Sequence, residues 1–248
     1  MSTPWSGFSY IAVNLARFIR PDEITFSGVN STLPMLACLL AKKAYDWEFI
    51  YINVAGGVDP RPGHVPISSS DPVLAEQSAS IFANEDFYDL CTRGRMDLTF
   101  LGAAQIDGEG CANNSVIGNW HQPKVRLPGG GGGAVMLPTA RRACTWRTEH
   151  SRRTLVEKLD FRTSWGGFHG VVTPIAVFIK RDGRLALQSW HPESSLQEVR
   201  ERTGFQFDAS DAKPTALPTA RESRALGELD PDGQFERDAA ITLGPRSA

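Results

Sequence analysis

The sequence predicts an α/β protein, a single open αβα sandwich on a mainly parallel, partly mixed sheet. Three observations carry this. Residues 24–54 read as strand, helix, strand, the succession of a βαβ unit. The second of those strands is almost continuously apolar, as strands covered on both faces are. Further on, Arg181-Asp182-Gly183-Arg184 reads as a hairpin turn, which adds an antiparallel pair.

Taken in order, Phe8 to Phe18 reads as an amphipathic helix whose apolar face carries Ile11, Val13, Leu15, Ala16 and Phe18, broken by Pro21 and Asp22. Ile24 to Phe26 is a short strand and 27–30 a turn. Ser31 or Thr32 caps a helix that has Pro34 in its first turn and runs to about Tyr45. Glu48 to Val54 is the second strand. Residues 57–72 hold Pro60, Pro62, Pro66 and a serine run, so they form a loop; it opens at a strand's C-terminal end, where open sheets bind ligands. Val73 to about Arg93 reads as helix and Met96 to Leu101 as strand. Ala143 to Thr148, Val171 to Lys180 and Leu185 to Trp190 follow as strands, and Leu196 to Thr203 as a short helix. Residues 1–210 then form the domain. Residues 211–248, rich in Ala, Pro and charge, form an extension of short helices packed on the domain or a partner, with a frayed end.

A chain of 248 residues with 41% apolar content can bury a sizeable core. Its formal net charge of −2 offers no whole-chain footprint for nucleic acid or an anionic membrane. Cys38, Cys91, Cys111 and Cys144 lie far apart without a C-x-x-C pair, which suits reduced thiols of a cytoplasmic protein. No run approaches the ~20 apolar residues a membrane span needs. No H-E-x-x-H or paired cysteines suggest a metal.

Chemistry concentrates in two segments. Gly102 to Gly110 leaves a strand and is followed by Asn113, Asn114, Ser115, Ile117 and Gly118; small residues here either make a Gly-rich hairpin or admit a ligand to the backbone. Trp120 to Pro128 then leads into Gly129 to Gly133. Five consecutive glycines are either a linker or an anion-binding turn opening a helix at Ala134. The run lacks the Gly-Lys-Ser/Thr of a nucleotide-hydrolysing loop.

Gly102 to Gly110, Ser115 to Gly118, His121 to Arg126 and the glycine run resemble, in this order, the β subunit of class I CoA-transferases, especially the glutaconate type. Val29 to Pro34, Thr203 to Asp208 and Asp230 to Phe235 extend the resemblance over nearly the whole chain. The resemblance implies a CoA-transferase-like fold and an α2β2 assembly with a homologous α subunit. It also implies an acyl-CoA substrate, so that CoA is part of the substrate and no separate cofactor is needed. Transferases of the family end the second strand in a glutamate whose carboxylate forms a glutamyl-CoA thioester. The matching residue here is Ala55, in Ile52-Asn53-Val54-Ala55-Gly56-Gly57, and a methyl group cannot hold CoA.

The resemblance therefore points to the glutamate-free branch, the ring-opening acyl-CoA hydrolases of bacterial steroid degradation. A ring ketone β to a thioester is activated: hydroxide adds to the ketone, the carbon–carbon bond breaks, and the thioester enolate takes the charge. Alternatives are a transferase with a relocated nucleophile, a non-catalytic subunit and a metabolite-binding module. Expected substrate-binding residues are Ala55, Gly56, Gly57, Gln105, Arg126, Gly130, Gly131 and Gly132, with Arg93 behind them; backbone amides of Gly56, Gly57 and Gly131 are the expected oxyanion donors. Asp59, His64, Asp107, Glu109 and His121 are candidate bases, each with a turn or packing role open to it, so the base is expected from the α subunit. Arg141, Arg142, Arg147, Arg152 and Arg153 form a basic cluster suited to CoA phosphates, acidic partner residues or solvent.

Overall fold

A short apolar helix starts the fold: α1, Gly7–Ala16, is capped by the Ser6 side chain on the Ser9 amide and is buried on every side rather than on one face. Its polar residues tolerate this because they bond locally, Asn14 donating to the Tyr10 carbonyl at 2.8 Å. The computed structural model describes residues 6–243, with side chains for residues 6–238. The expected frayed end at 244–248 lies outside the described residues.

The βαβ unit is β1, Ile24–Ser27, α2, Thr32–Ala44, and β2, Ile50–Asn53. Asn30 takes a left-handed φ of 56° in the turn before α2, a conformation asparagine accepts more readily than most residues. The strands β1 and β2 pair in parallel, and β5, Leu98–Gly102, joins β1 on the other side.

Between β2 and β5 the chain departs from the single helix expected over Val73 to Arg93. It forms β3, Gly57–Val58, a 3-10 turn at Pro72–Ala75, β4, Ser80–Ile81, and α3, Asn84–Thr92. Gln77 adopts a left-handed φ of 49°, which ends any helix, and Ser80–Ile81 instead pairs antiparallel with β3 at the sheet edge. Next come two small hairpins, β6, Gln105–Ile106, with β7, Ala112–Asn113, and β8, Val116–Gly118, with β9, Pro123–Arg126. After them α4, Gly133–Thr139, leads to β10, Arg142–Trp146.

Val171 to Lys180 is likewise two elements, β11, Phe168–Val172, and β12, Ala176–Arg181. Pro174 has no amide to donate, and Thr173 closes the turn by accepting the Ala176 amide at 3.0 Å. Asp182 and Gly183 both have positive φ, the twist-matched turn that joins β12 to β13, Arg184–Trp190. The chain ends with α5, Leu196–Arg202, β14, Lys213–Pro214, α6, Ala220–Leu229, and α7, Gln234–Leu243.

The sheet has ten strands in the order β14-β13-β12-β11-β10-β5-β1-β2-β3-β4, parallel through β11-β10-β5-β1-β2, antiparallel from β2 to β4 and from β11 to β13, with β14 parallel to β13 at the far edge. On one face a core of α1, α2 and α6 side chains meets Tyr51, Leu98 and Phe100; on the other, Met136, Leu137 and Phe87 from α4 and α3 meet Phe26, Ala143 and Phe178. This is the predicted αβα sandwich. The extension is pinned by its own charge pair. Arg17 grips Glu222 of α6 with Nε and Nη2, both at 2.9 Å, and also donates to the Ala216 and Leu217 carbonyls. Every cysteine is free and buried. No helix among the described residues is long and apolar enough to cross a membrane.

Candidate functional site

The end of β2 is wound by one buried side chain. Asn53 Nδ2 donates to the carbonyls of Gly57 (3.1 Å) and Leu74 (3.0 Å), and its Oδ1 accepts the Ala55 amide at 2.9 Å. The Gly56 amide donates to the Asn53 carbonyl at 3.1 Å, and Gly56 has a φ of +98° that favours glycine. A Cβ on Gly57 would lie 2.2 Å from the Leu74 carbonyl oxygen. Both glycines are thus required by the turn, and the Gly56 amide, an expected oxyanion donor, is spent on it. Ala55 sits half-buried against the α1–α2 core.

A cleft of about 590 Å³ opens at the C-terminal ends of β1, β5 and β10. Val29 and Asn30 wall it from the first turn, and Ile67 from the long loop. Gly102, Ala103 and Ala104 line it with little side chain, and Trp146, Arg147 and Thr148 line it beyond β10. Phe235 and Asp238 of α7 close one side. None of the expected substrate-binding residues lines this cleft, although Gly129, at the start of the glycine run, does.

The expected polar ligands are committed elsewhere. Gln105 is buried, donating to Asp160 at 2.9 Å and accepting from Asn113 at 2.7 Å, so both ends of its amide are used. Arg126 is exposed on β9, stacked 4.7 Å over the Trp120 ring and donating to the Trp120 carbonyl. Arg93 ends α3 in an exposed ion pair with Asp89. The glycine run is ordered rather than a linker: Gly129 donates to the Asn114 carbonyl at 2.8 Å and Gly133 to that of Gly130 at 2.8 Å. Gly130 and Gly132 leave no room for a Cβ, at 2.7 Å from the Ala134 and Met136 side chains, whereas Gly131 faces open space. Among the described residues the amides of Gly130, Gly131 and Gly132 donate to no backbone carbonyl.

The candidate bases fare similarly. Asp59 pairs with Lys42 at 2.8 Å and accepts the Tyr51 amide. Asp107 accepts the amides of Glu109 and Cys111 in its hairpin, which explains why these three side chains cluster within 4.8 Å. His64 and His121 are exposed and Glu109 faces Arg162 at 4.0 Å. None of the five lines the cleft.

The basic cluster is dispersed by the fold. Arg141 pairs with Asp97, Arg142 with Glu23, Arg153 with Glu149, and Arg152 donates to the Glu201 carbonyl. Arg147 alone of the five lines the cleft. Its Nη1 donates to the Ala103 carbonyl at 2.9 Å, its buried Nε has no partner, and it makes no ion pair among the described residues. Burial pulls its pKa below the usual arginine value, against the opposing charge of Glu149. Sequence reasoning singled out the cluster but not this member. The available signal was position, since Arg147 follows an apolar strand at the ligand-binding edge of the sheet.

Comparison with known proteins follows the same outline. Residues 8–198 match the family described as coenzyme A transferase. One of the subunits of the 3-oxoadipate CoA-transferase of Pseudomonas knackmussii is 31% identical over 240 residues, 89% of this chain and 91% of that protein. Among solved structures, the decarboxylase AibA/AibB superposes with a TM-score of 0.87 at 28% identity, covering 94% of this chain and 98% of the other. The glutaconate coenzyme A-transferase of Acidaminococcus fermentans superposes with a TM-score of 0.82 at 26% identity, covering 95% and 98%.

Proposed function

The chain belongs to the coenzyme A transferase family, and we propose that it is the β subunit of a heteromer that cleaves a carbon–carbon bond of an acyl-CoA. The specific reading is hydrolytic opening of the last ring of a cyclic β-keto acyl-CoA in steroid catabolism. The observation that carries it is Ala55. In transferases of this family the matching strand end bears the glutamate that becomes acylated; here it bears a methyl held in place by Asn53. The turn is wound by the buried Asn53 side chain although Ala55 itself is only half-buried, so the position has an ordered architecture while lacking a nucleophile.

The chemistry follows from what a thioester can stabilise. Hydroxide adds to the ring ketone β to the thioester, and the bond between that carbon and the thioester α-carbon breaks. The electron pair passes into the thioester enolate, a proton then restores the α-carbon, and the former ketone carbon becomes a carboxylate of the same, now opened, molecule. This chain offers a shaped edge and backbone amides of Gly131 and Gly132 for developing negative charge. The base comes from the α subunit, since Asp59 is tied to Lys42 and the Tyr51 amide, Asp107 to two amides of its own hairpin, and Glu109 faces Arg162. The heteromer is supported by two relatives, a transferase made of subunits and the two-part AibA/AibB decarboxylase.

The match to a decarboxylase favours a second reading, because decarboxylation of an acyl-CoA whose carboxylate is on, or conjugated with, the thioester α-carbon also breaks a carbon–carbon bond and leaves its electron pair in a thioester enolate. One experiment separates the readings. The assembled enzyme is supplied with acyl-CoA candidates in ¹⁸O-water and the products are weighed by mass spectrometry. Ring hydrolysis places one ¹⁸O in a new carboxylate and keeps every carbon. Loss of carbon dioxide without ¹⁸O in the remaining acyl group selects decarboxylation, and CoA appearing on an added free acid would refute both.

A further inference from the structure

The same arginine that stands apart from the basic cluster has an unmatched binding edge. A guanidinium grips a carboxylate side-on through Nε and Nη2, and this chain shows that geometry where Arg17 holds Glu222 at 2.9 Å on both atoms. Arg147 spends Nη1 on the Ala103 carbonyl, which leaves its Nε–Nη2 edge without a hydrogen bond among the described residues. The neighbouring Trp146 Nε1 is also buried without a partner. Two adjacent residues that line one cleft therefore each carry an orphaned donor, and buried donors without acceptors are uncommon in folded proteins.

Charge makes the same point. A partly buried guanidinium without a directly bonded carboxylate is costly; the charge of Glu149 reaches Arg147 without an ion pair among the described residues, whereas Arg141, Arg142 and Arg153 each hold a carboxylate. Beside Arg147 the cleft is lined by Gly102, Ala103 and Ala104, whose small side chains leave that stretch of the wall open to a ligand. We infer that Arg147, assisted by the Trp146 indole, binds an anionic oxygen group of the acyl-CoA at a point remote from the scissile bond.

Remoteness follows from topology. Between β10, which Arg147 ends, and β2, which leads to Ala55, lie β5 and β1, so three steps of ~4.8 Å separate the two positions by ~14 Å along the edge. With the reacting carbons beneath Ala55, the group at Arg147 is either a carboxylate at the far end of the acyl chain or a phosphate of CoA. Arg147 is thus a specificity residue and not a catalytic one. The inference rests on the reading that an acyl-CoA lies along this edge, though not on which bond of it is cleaved.

Equilibrium binding to the assembled enzyme, measured by titration calorimetry, tests it with dodecanedioyl-CoA, dodecanoyl-CoA and dodecanedioyl-pantetheine as probes. Arg147→Gln should weaken dodecanedioyl-CoA by about tenfold or more. If the far carboxylate is bound, dodecanoyl-CoA is unaffected and the pantetheine ester weakens; if a CoA phosphate is bound, both CoA esters weaken alike and the pantetheine ester does not. Trp146→Phe, which keeps the ring and removes the donor, should weaken the same probe severalfold, and Arg147→Lys should fall between parent and Gln. The two milder variants keep the test open should Arg147→Gln fold poorly. Changes below about twofold for all probes, or weakened subunit assembly with binding intact, overturn the assignment. Arg147-dependent binding without cleavage of any cyclic keto acyl-CoA would instead sink the hydrolase reading and leave this one standing.

Discussion

Replacing Asn53 by alanine should loosen the whole β2 edge, because one side chain makes three bonds in a position with no solvent exposure. Each intramolecular hydrogen bond contributes about 1 kcal/mol net, so Asn53→Ala should lose about 3 kcal/mol of stability. More is possible where the Leu74 carbonyl is left without a donor. In a chain of this size about 1 kcal/mol moves the melting temperature by 2–4 °C, which makes the shift about 6–12 °C. Urea unfolding followed by tryptophan fluorescence, with calorimetry alongside, measures both quantities. Asn53→Asp sharpens the test. It is isosteric and keeps the acceptor for Ala55, but turns carboxylate oxygen toward two carbonyls, so it should be at least as destabilised at pH 7. A loss below about 1 kcal/mol for Asn53→Ala, or a stable Asn53→Asp, would show that the turn is held by something other than this side chain.

Further outcomes follow from the same geometry. Gly57→Ala would force a Cβ to within 2.2 Å of a backbone oxygen, and should cost about 1–3 kcal/mol in urea unfolding. Stability should also fall on acidification because two histidines are buried neutral. Burial chiefly lowers the pKa of His150 from 6.5 to about 3 and of His191 from 6.5 to about 4. The unfolded chain gains these protons near pH 6.5 and the folded chain does not, so their contribution is complete above that pH and shrinks as pH falls toward 4. The slope is about 1.4 kcal/mol per pH unit for each ring, and urea midpoints at pH 7 and pH 5 should differ accordingly, with His150→Gln flattening the dependence. Glu222→Ala, which strips Arg17 and Tyr45 of their shared acceptor, should cost about 3 kcal/mol and release α6 to protease before the rest of the chain. Equal digestion of parent and variant would argue against the pin.

Much of the fold was legible because local pattern and tertiary demand agree. The near-continuously apolar stretch Glu48 to Val54 reads as a covered strand, and β2 is buried at all but Ile50; Arg181 to Arg184 reads as a hairpin turn, and Asp182 and Gly183 take the positive φ it needs. The helix expected over Val73 to Arg93 fails for a non-local reason: its apolar spacing suits a helix, but Ser80–Ile81 finds a strand partner in β3. The break in Val171 to Lys180 was visible in Pro174 and was outweighed by the β-branched residues around it. The place of Ala55 just past the end of β2 was readable from the apolar run before it. Gln105 was not, since the carboxylate that occupies it, Asp160, lies 55 residues away in sequence. Arg147 was hidden among four other arginines until the fold paired three of them with carboxylates and bound Arg152 to a backbone carbonyl.

The central claim is that Ala55 removes the covalent step from this member of the family. Intact-mass spectrometry of the assembled enzyme after incubation with acyl-CoA, with and without borohydride or hydroxylamine, measures that directly. The account predicts a β chain of unchanged mass, and in Ala55→Glu a chain able to form the adduct while carbon–carbon cleavage declines. A β chain of the parent enzyme that gains the mass of CoA, or is modified by the trapping reagent only after meeting acyl-CoA, would contradict it.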